Sequence, residues 1–233
     1  MKQQQITVPV IAVDGPSGAG KGTVCSIIAK RLGFHLLDSG AVYRALACWA
    51  VQQQLGVQLA LRELREGRAA PVVQMLTDDK CGKVRILVDG QDVTGLLRSE
   101  ECGAMASKLA KYSEVRARVM DLQRACACPP GLVADGRDMG SIVFPDAQLK
   151  IFLTADIAVR AERRFKQLQS MGLNVSLRKV YDDMKWRDEQ DCGRAVAPLV
   201  PDPAAVVLDT TKLSVEETVR QVLMLAEQVG VGS

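Results

Sequence analysis

The chain has 233 residues, 48% apolar and 24% charged, with a formal net charge of +3. At roughly 100–200 residues per domain, that is one large domain or a core with an insertion, and the composition argues against disorder. The small charge gives no ground for a nucleic-acid or membrane partner. No stretch reaches the roughly 18 uncharged apolar residues of a membrane helix, and the sole histidine, His35, excludes a histidine-rich metal site.

In chain order, Ile6–Val13 is a β-branched apolar run that predicts a buried parallel strand. Lys21–Leu32 carries apolar residues at helical spacing and stops at Gly33. Phe34–Leu37 predicts a second strand, and Ser39 is placed to cap a helix over Ala41–Gln54. Leu61–Leu76 reads as helix interrupted by Pro71. The character then changes, because Lys83–Val88 alternates and runs into Asp89-Gly90, a hairpin turn signal. That predicts a small antiparallel patch inserted into a strand–helix chain.

Helices are expected at Ser99–Lys111 and Ser113–Cys126, stopped by Pro129-Pro130. Strands are expected at Leu132–Ala134, Leu149–Leu153 and Ala204–Leu208. Helices are expected at Ile157–Met171, Ser176–Asp191 and Val215–Val229. This alternation predicts an α/β fold: a five-stranded parallel doubly wound sheet with helices on both faces and ligands at the carboxyl ends of the strands. Seven cysteines, and an N-terminal run too short and weakly basic for a secretory leader, lead us to expect a cytoplasmic protein with reduced thiols.

Between the first strand and first helix stands Asp14-Gly-Pro-Ser-Gly-Ala-Gly-Lys-Gly-Thr23. Strand, glycine-rich turn and helix start together make a phosphate-binding loop, with amides pointing inward and the helix dipole favouring an anion. The candidate contacts are Gly15, Pro16, Ser17, Gly18, Ala19, Gly20, Lys21, Gly22 and Thr23. Lys21 would bridge the outer phosphates. Gly22 occupies the place where many phosphate-loop proteins have a metal-binding hydroxyl. The loop is similar to that of nucleoside monophosphate kinases, which implies a metal held mainly by nucleotide oxygens and water, near Thr23.

Leu36–Arg44, LLDSGAVYR, offers a second anion-capable helix start with an arginine suited to a phosphate. Taken alone it reads equally as a capped helix with a surface arginine. Together with VADGRDMGSIVFPDA and GRAVAPLVP, however, it resembles the bacterial cytidylate kinases over nearly the whole chain, insertion included. The resemblance implies that Ser39, Tyr43, Arg44, Ser107, Arg116, Arg137, Asp138, Asp191 and Arg194 hold the acceptor CMP or dCMP. Cytosine has an amino donor that an Asp can accept from and acceptors that Arg or Ser can donate to. A structural Arg137–Asp138 pair is the alternative reading.

Arg160, Arg163 and Arg164 share one helix face, where donor phosphates collect or neighbouring acids such as Glu162 relieve the repulsion. Of these, Arg160 and Arg163 are the expected ATP contacts. Residues 172–197 resemble the family's mobile helical lid, which excludes water on closure; Gln190 stands where the resemblance implies another arginine. The expected catalytic residues are Lys21, Arg137, Arg187 and Arg194. No general base is required, since a phosphate acceptor is already an anion, and catalysis reduces to alignment and charge neutralisation.

We therefore expect a Mg2+-dependent, ATP-consuming CMP/dCMP kinase acting as a monomer. Residues 1–38 and 108–233 would form the core, and 39–107 the CMP-binding region with its insertion at about 70–100. A kinase for another small acceptor shares the loop and lid. A nucleotide switch would want a hydroxyl at position 22 and a guanine-reading motif, and the sequence has neither.

Overall fold

In the computed structural model, which describes residues 8–66, 71–77, 84–170, 172–193 and 198–232, the central strand is β1, Val10–Asp14. All five of its residues are buried, as expected of a β-branched run covered on both faces. It lies in a five-stranded sheet of order β2-β6-β1-β7-β8, where β2 is His35–Asp38, β6 Leu132–Asp135, β7 Leu149–Thr154 and β8 Val206–Asp209. The pairing of β1 with β6 aligns Val10 with Leu132, and that of β1 with β7 aligns Ile11 with Leu149, both parallel. Ile151 of β7 is likewise parallel and in register with Val206 of β8. The expected α/β class and parallel five-stranded sheet are therefore present.

By internal contacts the chain divides into two compact units, one running to Phe34 and resuming at Pro129, the other spanning His35–Cys128. In the first, α1 (Lys21–Leu32) follows β1 and packs on β6 and on α8 (Val215–Gln228). Ser214 and Glu217 form a reciprocal capping box that fixes the start of α8. The helices α6 (Ile157–Ser170) and α7 (Leu177–Cys192) pair through Ala161, Val180 and Met184, with Phe165 and Tyr181 against them. Between β6 and β7 the chain makes one π-helical turn, Met139–Val143.

In the second unit, α2 (Ser39–Gln52) packs on α4 (Glu100–Leu109), with Ala45, Ala47 and Ala50 among its buried residues. α3 (Val57–Glu66) and α5 (Ser113–Arg124) complete the helices. An antiparallel sheet joins β3 (Val73–Thr77), β4 (Val84–Val88) and β5 (Gln91–Asp92). The hairpin expected at Asp89-Gly90 links β4 and β5, with both turn residues at positive φ.

Two local expectations are corrected. Of the helix expected over Leu61–Leu76, the first part belongs to α3 and runs to Glu66, residues 67–70 lie outside the described residues, and Val73–Thr77 is a strand paired with β4. Pro71 lacks the N–H that a helix interior needs, while the β-branched Val73 finds a partner at Val88. The cap of α2 is Asp38, whose carboxylate accepts from Ala41 N at 3.2 Å; Ser39 is already inside the helix and buried.

Candidate active site

The loop after β1 is shaped by close approach. At Gly15, with φ +143°, a Cβ would run into the carbonyl oxygen of Leu153, so no side chain fits there. Gly20 sits in the left-handed region as the N-cap of α1 and provides no side-chain cap. The first amides of a helix have no intrahelical partner, and no side chain caps them at Gly20, so this end can accept an anion.

Lys21 opens α1 with only 6% exposure. Its Nζ donates to Pro16 O at 3.0 Å and lies 3.8 Å from an Asp135 oxygen. Burial, followed by the nearby charge of Arg137, pulls its pKa down to about 8, against an upward pull from Asp135. The ammonium is thus held in surroundings that favour an incoming anion. Asp14, at the end of β1, accepts from Met139 N and Gly140 N at 2.8 Å each. Those bonds tie the turn after Arg137 and Asp138 to the loop, yet burial still raises the Asp14 pKa to about 6.

Arg137 spans the loop and α7: Nη2 donates to Ser17 Oγ at 2.7 Å, and Nε to Asp191 at 3.1 Å. Arg160, buried, donates to Ser17 O at 3.1 Å and lies 2.7 Å from Asp188 on α7, three residues before Asp191. Arg163 donates to Thr210 Oγ1 and Thr210 O. Asp138 is half-buried beside Arg137, whereas Arg187, Gly22 and Thr23 are exposed. Arg194 lies outside the described residues.

The remaining candidates belong to the His35–Cys128 unit. Ser39, Tyr43 and Arg44 occupy the start of α2: Ser39 is buried, Tyr43 half-buried and Arg44 exposed. Ser107 is exposed on α4, and Arg116 is half-buried on α5.

The family model described as cytidylate kinase matches residues 11–228. The chain is 46% identical to the cytidylate kinase of Colwellia psychrerythraea over 95% of its own length and 97% of that protein. It is 47% identical to that of Shewanella frigidimarina over 92% and 93%, and 48% identical to that of Pseudomonas paraeruginosa over 96% and 97%. The chain belongs to the cytidylate kinase family.

In this cytidylate kinase fold the first unit alone brings Lys21, Arg137 and Arg160 to the loop residues Pro16 and Ser17. Cations gathered beside a helix N-terminus are an arrangement that suits an anionic ligand. Sequence reasoning missed Asp14, Asp188 and Thr210. Asp14 was visible as the residue just before Gly15. Thr210 acts on Ala19 across 191 positions, and no local pattern signals such a contact. Among the described residues no helix is long and apolar enough to cross a membrane.

Proposed function

We propose that this cytidylate kinase moves the γ-phosphoryl group of ATP in line onto CMP or dCMP, giving ADP and CDP or dCDP. The observation that carries the reading is the gathering of Lys21, Arg137 and Arg160 on the loop, with Lys21 pulled to a pKa of about 8 by burial. A polyphosphate would bring its negative charge to cations that in the free protein lean on Asp135, Asp191 and Asp188. Gly15 to Thr23 hold the donor phosphates, with Arg160 and Arg163 on the donor side. Lys21 and Arg137 neutralise charge on the moving group, joined by Arg187 and Arg194 from the lid region, 172–197.

Ser39, Tyr43, Arg44, Ser107, Arg116, Arg137, Asp138, Asp191 and Arg194 form the acceptor set in this reading. Residues 39–107 supply its phosphate and base contacts, and 1–38 with 108–233 the catalytic core. The acceptor phosphate is its own nucleophile, so no side chain has to remove a proton.

Magnesium suits oxygen donors. Near Lys21 the chain offers the exposed Thr23 hydroxyl and the Asp135 carboxylate, which would lie 3.5 Å from a Cβ at Gly22. These groups fit an ion carried mainly on ATP oxygens and water, where it would neutralise phosphate charge. We read the protein as a cytoplasmic monomer acting on small molecules, without nucleic-acid or membrane partners.

A coupled ADP-release assay across CMP, dCMP, UMP, AMP and dTMP tests the assignment. CMP and dCMP are expected to give the highest kcat/KM, and a larger value for UMP or AMP overturns it.

A further inference from the structure

Two carbonyls of the phosphate loop are gripped by side chains from α6 and from the end of β8. Arg160 Nη1 donates to Ser17 O at 3.1 Å, and Thr210 Oγ1 to Ala19 O at 3.2 Å. Each grip is itself braced. Arg160 is buried, donates through Nε to Ala155 O at 2.8 Å, and pairs with Asp188 at 2.7 Å. Thr210 is 3% exposed, and its hydroxyl accepts from Arg163 Nη1 at 3.1 Å. Arg163 Nη2 also donates to Thr210 O at 2.7 Å, and Thr210 N donates to Thr154 O at 2.8 Å. The single hydroxyl proton is shared between Ala19 O and Thr154 O, the latter at 3.1 Å.

These grips have a consequence for the loop's donors. In a planar trans peptide the C=O of one residue and the N–H of the next point to opposite sides. Turning Ser17 O toward Arg160 therefore turns Gly18 N–H away from it. Turning Ala19 O toward Thr210 likewise turns Gly20 N–H away. Both glycines are in the left-handed region, at φ +77° and +91°, where a residue without a Cβ leaves its peptide planes free to rotate. A loop that binds phosphate through amides gains most when those amides are fixed before the ligand arrives. Asp188 adds a second sign of purpose: its Oδ1 is buried without a hydrogen-bond partner among the described residues. Stability alone would not favour such a half-satisfied buried acid.

We propose that Thr210 and Asp188 are positioning residues for ATP. Working through Ala19 O and, by way of Arg160, through Ser17 O, they fix the two peptide planes whose N–H groups face the phosphates. This rests on the reading of the loop as the ATP phosphate site.

The test compares Thr210→Val, which keeps the shape without the hydroxyl, with Thr210→Ser, which keeps the hydroxyl, and with Asp188→Asn. Calorimetry with ATP and with inorganic tripolyphosphate is combined with steady-state KM for ATP and CMP. Loss of one hydrogen bond corresponds to a change of up to about tenfold. Thr210→Val is expected to weaken ATP and tripolyphosphate together by about five- to tenfold, with the CMP KM within about twofold of wild type, and Thr210→Ser is expected to restore binding. Asp188→Asn is expected to weaken the same two ligands.

Wild-type tripolyphosphate affinity in Thr210→Val, an equal loss for CMP, or no rescue by Thr210→Ser overturns the role of Thr210. Unchanged tripolyphosphate binding in Asp188→Asn overturns that of Asp188, and this variant decides alone if Thr210→Val does not fold. If the wild-type protein binds ATP but tripolyphosphate does not compete with it, the loop assignment itself falls.

Discussion

Around the phosphate loop, charged groups are buried and bonded several times over, while the candidate acceptor residues of the His35–Cys128 unit lie nearer the surface. Asp14, Lys21, Arg160 and Asp191 are the buried charged side chains among the described residues, and all four are in the first unit. Among the described residues the second unit contributes only Ser39 and Gln123 to the buried polar set, and Arg44 and Ser107 are exposed. A buried charge needs its partners built into the fold, whereas an exposed one can wait in water for a ligand. In the proposed reading the loop side is held in place before a ligand arrives, so substitutions there should change function and stability together, except at Lys21, whose removal also relieves a buried charge. On the acceptor side the two should separate.

Lys21→Ala is the strongest way to break that contrast. Removing a donor aimed at developing charge costs about 10²–10³-fold in kcat. Thermal stability should stay near wild type, because losing the bond to Pro16 O is offset by no longer holding a charge in a buried site. A single-turnover assay and a melting curve measure both, and turnover within tenfold of wild type removes Lys21 from the mechanism.

Asp14 gives the next largest effect, read as stability against pH. Burial raises its pKa from 3.8 to about 6, so between those values the folded chain binds more protons than the unfolded one. The Asp14 contribution is fully present below pH 3.8 and is lost as pH rises through about 6, a change of about 3 kcal/mol. Lys21 runs the other way. Its pKa falls from 10.5 to about 8, so the unfolded chain binds more protons across that window and stability rises with pH there. Denaturant titrations across both windows should show a falling and then a rising limb. Asp14→Asn should lack the first, and a first limb that persists in that variant assigns it to another group.

How much of this was legible in the sequence depended on the range of the interactions. The strand–loop–helix at Gly15 was readable because glycine spacing, β-branched run and helix start are neighbours in the chain. β3 was misread because its defining partner, β4, lies further along the chain, and Leu61–Leu76 has spacing that suits a helix until Pro71 is given full weight. The π-helical turn at Met139–Val143 could not be read, since the acceptor on two of its amides is Asp14, more than a hundred positions earlier. Arg160 and Arg163 were expected as phosphate contacts from their shared helix face. Their present partners, Ser17 O, Asp188 and Thr210, depend on how α6 packs against the loop, β8 and α7, which no local pattern encodes.

Arg44→Ala should produce the smallest change and tests the contrast from the acceptor side. The side chain is exposed at the start of α2, so its removal should leave the melting temperature within about a degree, as for surface substitutions away from packed features. A charge-assisted bond to a phosphate nonetheless corresponds to about a tenfold change or somewhat more. The expected result is a CMP KM raised about tenfold with the ATP KM unmoved. A comparable rise in the ATP KM would place Arg44 at the donor. A large fall in stability without a change in CMP KM would make it a structural residue, and the separation between a prebuilt donor side and a ligand-completed acceptor side would then fail.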